Sequence, residues 1–223
     1  MNQTGAGSGR ETRSDGATTR RRILEVAGER FAAAGFAETS NKEIAAVAGV
    51  DLASINYHFG TRAGLYQAVL AEAHRRLADR DDLERIVGGT GTAHDRLRAL
   101  IRFLLGGGQS QWPMIVLGRE LLSPSSHFQT LQEDEILPKI RIALPLLSEL
   151  SGIPRDDPQL LPSLICVMIP CVAISLVARG STPLAIRLQE ATMDEISDQL
   201  FRFATGGLEA LGSRYETDGN GAG

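Results

Sequence analysis

Several residue types that build catalytic, disulfide-bonded or metal-binding proteins are scarce in this 223-residue chain. It has two cysteines, four histidines, one tryptophan and two lysines, and aromatic residues make up 5% of it. The histidines lie in separate segments, and none has the spacing to cysteine or acidic residues that is typical of a zinc site. The sequence contains neither a nucleophile elbow nor a dinucleotide-binding glycine pattern. These absences argue against an enzyme, and we expect no metal and no cofactor.

The two cysteines and the longest uncharged segment bear on cellular location. Cys166 and Cys171 are separated by about 500° of helical rotation, so a local disulfide is not expected. The first residues lack the apolar stretch of a secretory signal, and we expect a cytoplasmic, nucleoid-associated protein. Residues 158–178 carry no charge. Because Pro162 and Pro170 interrupt them, we favour a buried helix with one face at a subunit interface over a membrane span, and no membrane partner.

The net charge of −4 is unevenly distributed along the chain. Residues 1–62 carry eight basic and seven acidic side chains, whereas the remaining residues carry 15 basic and 20 acidic ones. Only residues 1–62 therefore lack the net negative charge that would repel a polyanion such as DNA. The acidic remainder of the chain is expected to point away from the DNA. This asymmetry favours a small, discrete DNA footprint over general coating of DNA.

The stretch 40–59 has the pattern of a helix-turn-helix. Ser40 and Glu43 have the spacing of a capping box at the start of a first helix. Gly49 supplies the break, and Asp51 is placed to cap a second helix. Two short helices joined by a glycine-containing turn are the arrangement that places the second helix in the major groove of DNA.

The residues on either side extend this pattern. The upstream segment RILEVAGERFAAAG and the residues that follow the downstream segment YHFGTR both have apolar side chains at helical spacing. Residues 17–77 together resemble the DNA-binding domain of the TetR family of bacterial one-component regulators. The resemblance implies an all-α fold, in which a three-helix DNA-binding domain with a helix-turn-helix is joined to a larger helical ligand-binding and dimerisation domain.

The resemblance also implies DNA contacts at individual positions. Phosphate contacts are implied at the start of the first motif helix, by Ser40, Asn41 and Lys42. Base contacts are implied in the second helix, by Leu52, Ala53, Ser54 and Tyr57. Further contacts to phosphates or bases are implied for Asn56, His58 and Arg62. Leu52 and Ala53 stand where polar residues are common in the family, and their side chains suit thymine methyl groups rather than hydrogen bonds.

Composition and helical patterning divide the chain into four segments. Residues 1–16 are predicted to be a disordered arm, either a solvated tail or, through its arginines, a contact to the minor groove. Residues 17–77 form the DNA-binding domain, residues 78–213 a helical ligand-binding and dimerisation domain, and residues 214–223 a disordered tail. A long helix from Thr61 to about Ile86 is predicted to link the two domains.

The rear of the chain is predicted to enclose a small-molecule pocket between helices. The segment 118–125, GRELLSPS, is similar to the CecR-like branch of the family, whose members tend to regulate drug export and stress genes. Candidate pocket residues are the apolar Phe103, Trp112, Met114, Leu117, Phe128 and Met168 and the polar Arg102, Arg119 and Glu120. Core packing is the alternative for the apolar residues, and an ion pair is the alternative for Arg119 and Glu120.

The last predicted helix, 193–211, has two apolar stripes and therefore needs two partners. With the apolar helix 160–178 it is predicted to form a dimer interface whose contacts include Met193, Ile196, Leu200, Phe203 and Gly207. A two-fold dimer doubles the base contacts and places its two recognition helices one turn of DNA apart.

These features predict a ligand-responsive transcriptional regulator. Its simplest form is a repressor that binds a near-palindromic operator in double-stranded DNA as a homodimer and is released by a largely apolar small molecule. One alternative is a ligand-independent DNA-binding adaptor whose rear domain only dimerises or binds another protein. Activation instead of repression is a further alternative that the sequence leaves open.

Overall fold

The computed structural model describes residues 8–106 and 111–220, and these residues form twelve helices, one π-helical turn and no strand. The all-helical fold expected from the sequence is confirmed. The π turn, Gln132–Ile136, lies between α8 and α9. The helices are α1 (Ser8–Glu38), α2 (Asn41–Ala48), α3 (Leu52–Phe59), α4 (Arg62–Leu77), α5 (Arg80–Val87), α6 (Ala93–Gly106), α7 (Trp112–Leu122), α8 (Ser126–Leu131), α9 (Leu137–Ser151), α10 (Leu160–Ala178), α11 (Pro183–Gln189) and α12 (Met193–Asn220).

The chain divides into two compact units. Unit 1 consists of Met1–His74 and Ser110–Glu133, and unit 2 consists of Arg75–Gln109 and Asp134–Gly223. Helices α7 and α8 therefore belong to unit 1, although the sequence suggested one rear domain over 78–213. The physical reason is that α7 packs closely against α1.

The core of unit 1 is formed by the apolar faces of α1, α2, α3 and α4. α1 is interrupted at Gly35, whose φ of 85° is outside the helical range. The hydroxyl of Thr39 donates to the Gly35 carbonyl at 2.8 Å and so holds the connection to α2. The largest fully buried side chains of this unit are Ile23, Phe31, Ile44, Ile55, Leu65 and Leu70.

Two separate helices, α4 and α5, replace the single helix predicted from Thr61 to about Ile86. Asp79 lies between them and accepts hydrogen bonds from the backbone N–H groups of Asp81 and Asp82, at 3.0 and 3.4 Å. A capping aspartate satisfies the N–H groups that begin a new helix, so the chain restarts there. The prediction of one continuous helix is wrong.

The ends of the chain are more helical than predicted. α1 begins at Ser8, so residues 8–16 are not the disordered arm expected from composition. α12 extends to Asn220, so most of the predicted disordered tail is also helical. Residues 1–7 and 221–223 lie outside the described part of the chain. The physical reason at the front is that arginine, glutamate and alanine, which occur in residues 8–20, favour helix.

Unit 2 is built around α6, α9, α10 and α12, which pack against one another. The hydroxyl of Ser175 donates to the Leu105 carbonyl at 2.8 Å and joins α10 to α6. The sequence of α6 has an apolar residue at every third or fourth position, and these residues are buried at Leu97, Leu100, Ile101 and Leu104. The short helix α11 has no counterpart in the sequence-based prediction.

α10 is the one helix of the described residues that is long and apolar enough to cross a membrane, with a mean hydropathy of 2.5. One side of it belongs to the core of unit 2, at Leu160, Leu164, Val167 and Cys171. The opposite side is exposed at Leu161, Ile165, Ile169 and Leu176. The helix therefore has one packed face and one apolar face without cover in the single chain.

Both cysteines lie on α10 and are free thiols, as the sequence predicted. Cys166 is exposed, whereas Cys171 is buried. Burial raises the pKa of the Cys171 thiol to about 11. A thiol with that pKa is almost fully protonated at neutral pH, which makes Cys171 a structural residue rather than a nucleophile.

Candidate nucleic-acid interface

α2 begins with the cap that the sequence predicts. The Ser40 hydroxyl accepts a hydrogen bond from the backbone N–H of Glu43 at 3.2 Å. The carboxylate of Glu43 lies 3.3 Å from the Arg30 guanidinium and so ties α2 to α1. The start of α2 therefore carries a neutral cap with Lys42 exposed in its first turn. A positive helix N-terminus beside a lysine is suited to a phosphate.

The turn between α2 and α3 depends on Gly49. Its φ of 61° is left-handed, and its N–H donates to the Ala46 carbonyl at 3.3 Å. The N–H of Val50 donates to the Ala45 carbonyl at 3.0 Å, so the last carbonyls of α2 are satisfied within the turn. The predicted break at Gly49 is confirmed.

α3 is capped by Asp51, as the sequence predicts. The Asp51 carboxylate accepts from the N–H of Ser54 at 2.7 Å and from the Ser54 hydroxyl at 2.6 Å. The side-chain hydrogen bond, followed by the backbone one, lowers the pKa of Asp51 and keeps the carboxyl ionised. Ile55 is fully buried and anchors α3 on the core of unit 1.

The outward face of α3 is exposed. Tyr57 is 85% exposed and Leu52 is 45% exposed, and Ala53 and Asn56 are exposed as well. His58 is half-buried and contacts the Tyr57 ring edge-on, with centroids 5.1 Å apart. A tyrosine this exposed contributes almost nothing to the core, so its position favours contact with a partner.

Several polar residues of the predicted interface are bonded inside unit 1. Arg62 donates to the carbonyls of Phe36 and Ala37, and its guanidinium lies over the Phe36 ring, 4.4 Å from the centroid. The hydroxyl and N–H of Ser54 donate to the Asp51 carboxylate, as described above. The side-chain oxygen of Asn41, by contrast, is buried without a hydrogen-bond partner. Arg62 thus holds the end of α1 in place, a role that the sequence-based analysis did not foresee.

Two arginines of α1 contact the helix-turn-helix, a structural role that the sequence did not predict. Arg22 donates to the Gly49 carbonyl at 3.4 Å. Arg20 lies over the ring of Phe59, 5.2 Å from its centroid. The sequence does not predict these contacts, because nothing in the local pattern indicates which carbonyl or ring such a side chain meets.

A buried polar network lies in the same unit. Glu120 of α7 is 3% exposed and accepts from the Tyr66 hydroxyl at 2.6 Å and from the Ser125 N–H at 2.9 Å. Burial, followed by the bond to Glu120, raises the pKa of Tyr66. Trp112 donates to Glu25 at 2.9 Å, and Arg119 donates to the Ala33 carbonyl at 3.2 Å.

The residues predicted to line a small-molecule pocket are divided between the two units. Trp112, Met114, Leu117, Arg119, Glu120 and Phe128 belong to unit 1, whereas Arg102, Phe103 and Met168 belong to unit 2. Phe103 and Met168 pack against the core of unit 2, and Arg102 lies 3.2 Å from Asp194. Arg119 and Glu120 have separate partners in unit 1. The physical reason is that α7, which carries five of the nine residues, packs against α1, and α8 with Phe128 belongs to the same unit.

Unit 1 also has an open surface depression of about 290 Å³. Of the predicted pocket residues only Trp112 lines it; the others that line it are Glu29, Ala32, Ala33, Gln111 and Ile115. Its volume is at the lower end of the range of sites that enclose a small molecule.

The predicted dimer contacts lie on two sides of α12. Phe203 is 74% exposed, and Met193 and Gly207 are exposed too. Ile196 is only 8% exposed and belongs to the core of unit 2, so it is not available for a partner. Leu200 is half-buried against that core. The stripe through Ile196 turns inward because α12 packs on α6 and α9 with that face.

The comparisons with known proteins agree with this geometry. The family model described as "Bacterial regulatory proteins, tetR family" matches residues 23–69. The HTH-type transcriptional regulator TtgR and the probable HTH-type transcriptional regulator ArpR, both of Pseudomonas putida, are each 38% identical to this chain over 65 residues. The aligned part is 29% of this chain, and it spans only 31% of the length of either relative.

Solved structures extend the likeness to most of the chain. A TetR-like transcriptional regulator from Rhodococcus sp. RHA1 has a TM-score of 0.63 and 22% identity, covering 86% of this chain and 96% of that one. The ketosteroid transcriptional regulator KstR2 of Mycobacterium tuberculosis has a TM-score of 0.57 and 20% identity, covering 92% and 98%. At these identities the likeness shows a shared fold.

Proposed function

We propose that this chain is a transcriptional repressor of the TetR family, acting in the bacterial cytoplasm, because residues 23–69 match the model of that family and its fold is shared with TetR-like regulators. It binds a near-palindromic operator as a dimer and is released by a small molecule. The observation that carries the proposal is α3, which is anchored by the buried Ile55 and presents an exposed Tyr57 on the opposite side. A short, rigidly capped helix with an exposed outer face fits the major groove.

Phosphate contacts complete the interface. Lys42 is exposed in the first turn of α2, at the end of the helix where the dipole is positive. Such contacts fix the position of a protein on DNA without reading its sequence. We assign them to Ser40, Asn41 and Lys42, and the base-reading positions to α3.

Tyr57→Ala is expected to weaken specific operator binding by about 1–3 kcal/mol, because a base contact of the recognition helix is removed. An operator is first enriched from a random duplex pool, and affinity is then measured by gel shift at constant salt. Tyr57→Phe is the matched control, since it keeps the ring and removes only the hydroxyl. Wild-type affinity of Tyr57→Ala would show that Tyr57 makes no base contact.

Dimerisation is supported by apolar surface that the single chain leaves uncovered. α10 exposes Ile165, Ile169 and Leu176, and α12 exposes Phe203. The two helices pack against each other in unit 2, so these side chains lie on neighbouring elements. Apolar surface on adjacent helices is typical of a protein–protein contact. Two such helices and their symmetry mates form a four-helix interface with two-fold symmetry.

Phe203→Glu is expected to convert the dimer into monomers, because it buries a charge in the proposed interface. Sedimentation equilibrium at several protein concentrations measures the change, and circular dichroism checks the helical content. Leu184→Glu is the matched control, since Leu184 of α11 is 62% exposed and lies outside the proposed contact. A Phe203→Glu protein that remains a dimer would contradict the interface.

Release by a largely apolar effector completes the proposed mechanism. The effector binds more tightly to a conformation in which the two recognition helices are wrongly spaced, and a shift from 1:99 to 99:1 needs about 5.5 kcal/mol of differential affinity. The resemblance to the TetR family supports release by an effector. The residues that bind the effector stay a prediction. A thermal-denaturation screen tests effector binding, because a ligand at 100 times its dissociation constant adds about 2.7 kcal/mol. A screen without any shift would favour the ligand-independent adaptor.

A further inference from the structure

We infer that this protein reads its operator chiefly through the 5-methyl groups of thymine, by apolar contact with Leu52 and Ala53. The inference rests on the proposed function, since it requires α3 to enter the major groove. It specifies which chemical feature of the base pairs carries the sequence preference.

Two of the polar side chains expected to contact bases, Ser54 and Arg62, are already bonded within the protein. The hydroxyl and N–H of Ser54 both donate to Asp51, at 2.6 and 2.7 Å. The guanidinium of Arg62 is bonded to the Phe36 and Ala37 carbonyls. Donation from the Ser54 hydroxyl to a base requires that its bond to Asp51 be broken, and donation from Nη2 of Arg62 requires that its bonds to the two carbonyls be broken, which cancels most of the gain.

The exposed side chains in the first turn of α3 are apolar. Leu52 is 45% exposed and Ala53 is exposed, and neither carries a side-chain donor or acceptor. In helix-turn-helix complexes it is the N-terminal residues of the second helix that contact base edges. Among the unmodified bases, thymine is the one that presents an apolar group, its methyl, in the major groove.

The next turn of α3 selects the same base pair. Asn56 and Tyr57 lie four residues after Leu52 and Ala53, and therefore on the same faces of the helix. Both are exposed, and an asparagine amide pairs with the N6 and N7 atoms of adenine. Methyl contact to thymine and amide contact to adenine both favour A·T pairs. We therefore expect the half-sites to have A·T pairs where α3 reads them.

Replacement of thymine by uracil tests the inference with the wild-type protein. Full-length protein enriches an operator from a random synthetic duplex pool, and the enriched duplex is then made with deoxyuridine at single thymine positions. Uracil keeps the pairing and the O4 acceptor and lacks only the methyl. Each contacted methyl is expected to contribute about fourfold in affinity, or about 0.8 kcal/mol, and a symmetric pair in both half-sites about sixteenfold.

The variants and outcomes separate this inference from the proposed function. Leu52→Ala is expected to reduce the preference for thymine over uracil, whereas Leu184→Ala, which truncates an exposed leucine of unit 2, is expected to keep it. Equal affinity for the thymine and uracil operators would overturn the inference and leave the proposed function standing. If no sequence is enriched from the pool, the proposed function itself is overturned. Synthetic DNA contains no 5-methylcytosine, so a methyl effect in this assay comes from thymine.

Discussion

Gly212→Ala is expected to lower the free energy of unfolding by about 3 kcal/mol or more. Gly212 of α12 lies against the end of α9, where an added Cβ would be 1.9 Å from the carbonyl oxygen of Ser151. That carbonyl is held in place, because the Ser151 hydroxyl donates to the Leu147 carbonyl at 2.8 Å and accepts from the Ile153 N–H at 3.2 Å. Backbone on both sides of the contact has to move to admit the methyl group.

Urea unfolding followed by circular dichroism measures this effect at one fixed protein concentration, because dimerisation makes stability depend on concentration. Gly206→Ala is the matched control in the same helix, since an added Cβ there meets no atom within 4 Å. It is expected to raise stability by about 0.5–1 kcal/mol through better helix propensity. If the two variants unfold at the same urea concentration, the close contact between α9 and α12 is wrong.

Glu120→Leu is expected to destabilise unit 1 by about 3 kcal/mol. The variant removes the acceptor of the Tyr66 hydroxyl and of the Ser125 N–H, and each buried donor left without a partner costs about 1–3 kcal/mol. The single tryptophan, Trp112, is buried in unit 1, so its fluorescence during urea unfolding reports on this unit. Operator affinity is expected to fall as well, since Tyr66 lies on α4 in unit 1, which also contains the proposed DNA interface.

A double-mutant cycle isolates the bond between Tyr66 and Glu120. Tyr66→Phe removes the hydroxyl and keeps the ring, which packs edge-on against Phe31 with centroids 4.9 Å apart. In the double variant the Tyr66 hydroxyl is absent and is not left unpaired, so the loss of stability is expected to be smaller than the sum of the two single losses by about 1 kcal/mol or more. Strict additivity would contradict a direct bond.

The helix-turn-helix was predictable because its signals are local. Ser40 and Asp51 accept bonds from residues three positions later, and the left-handed turn at Gly49 depends on that residue alone. The apolar stripe of α6 likewise appears in the sequence as a repeat of three and four residues. The break at Asp79 was missed, although aspartate is a strong cap, because the apolar pattern continues through it.

The roles of Arg62, Trp112 and Glu120 were not predictable from local pattern. Arg62 bonds to carbonyls about 25 residues earlier, Glu120 is bonded to Tyr66 across 54 residues, and Trp112 to Glu25 across 87. A side chain of each kind suits a ligand, a phosphate or an internal partner equally well. Which of these it meets depends on the faces that come together when distant helices pack.

The helix-turn-helix and the internal partners of individual side chains thus have different physical origins in this protein. Short-range capping, turn and periodicity signals in residues 17–77 determined that it is helical and carries a DNA-binding motif, since bonds between near neighbours form wherever the chain adopts that local geometry. Only packing between distant helices decided that α7 belongs to unit 1, that Ile196 faces the core, and that Arg62 is bonded to the end of α1. On α3, the packing of Ile55 into the core leaves Leu52, Ala53 and Tyr57 exposed. Tertiary contacts therefore determine which side chains remain available to contact a base.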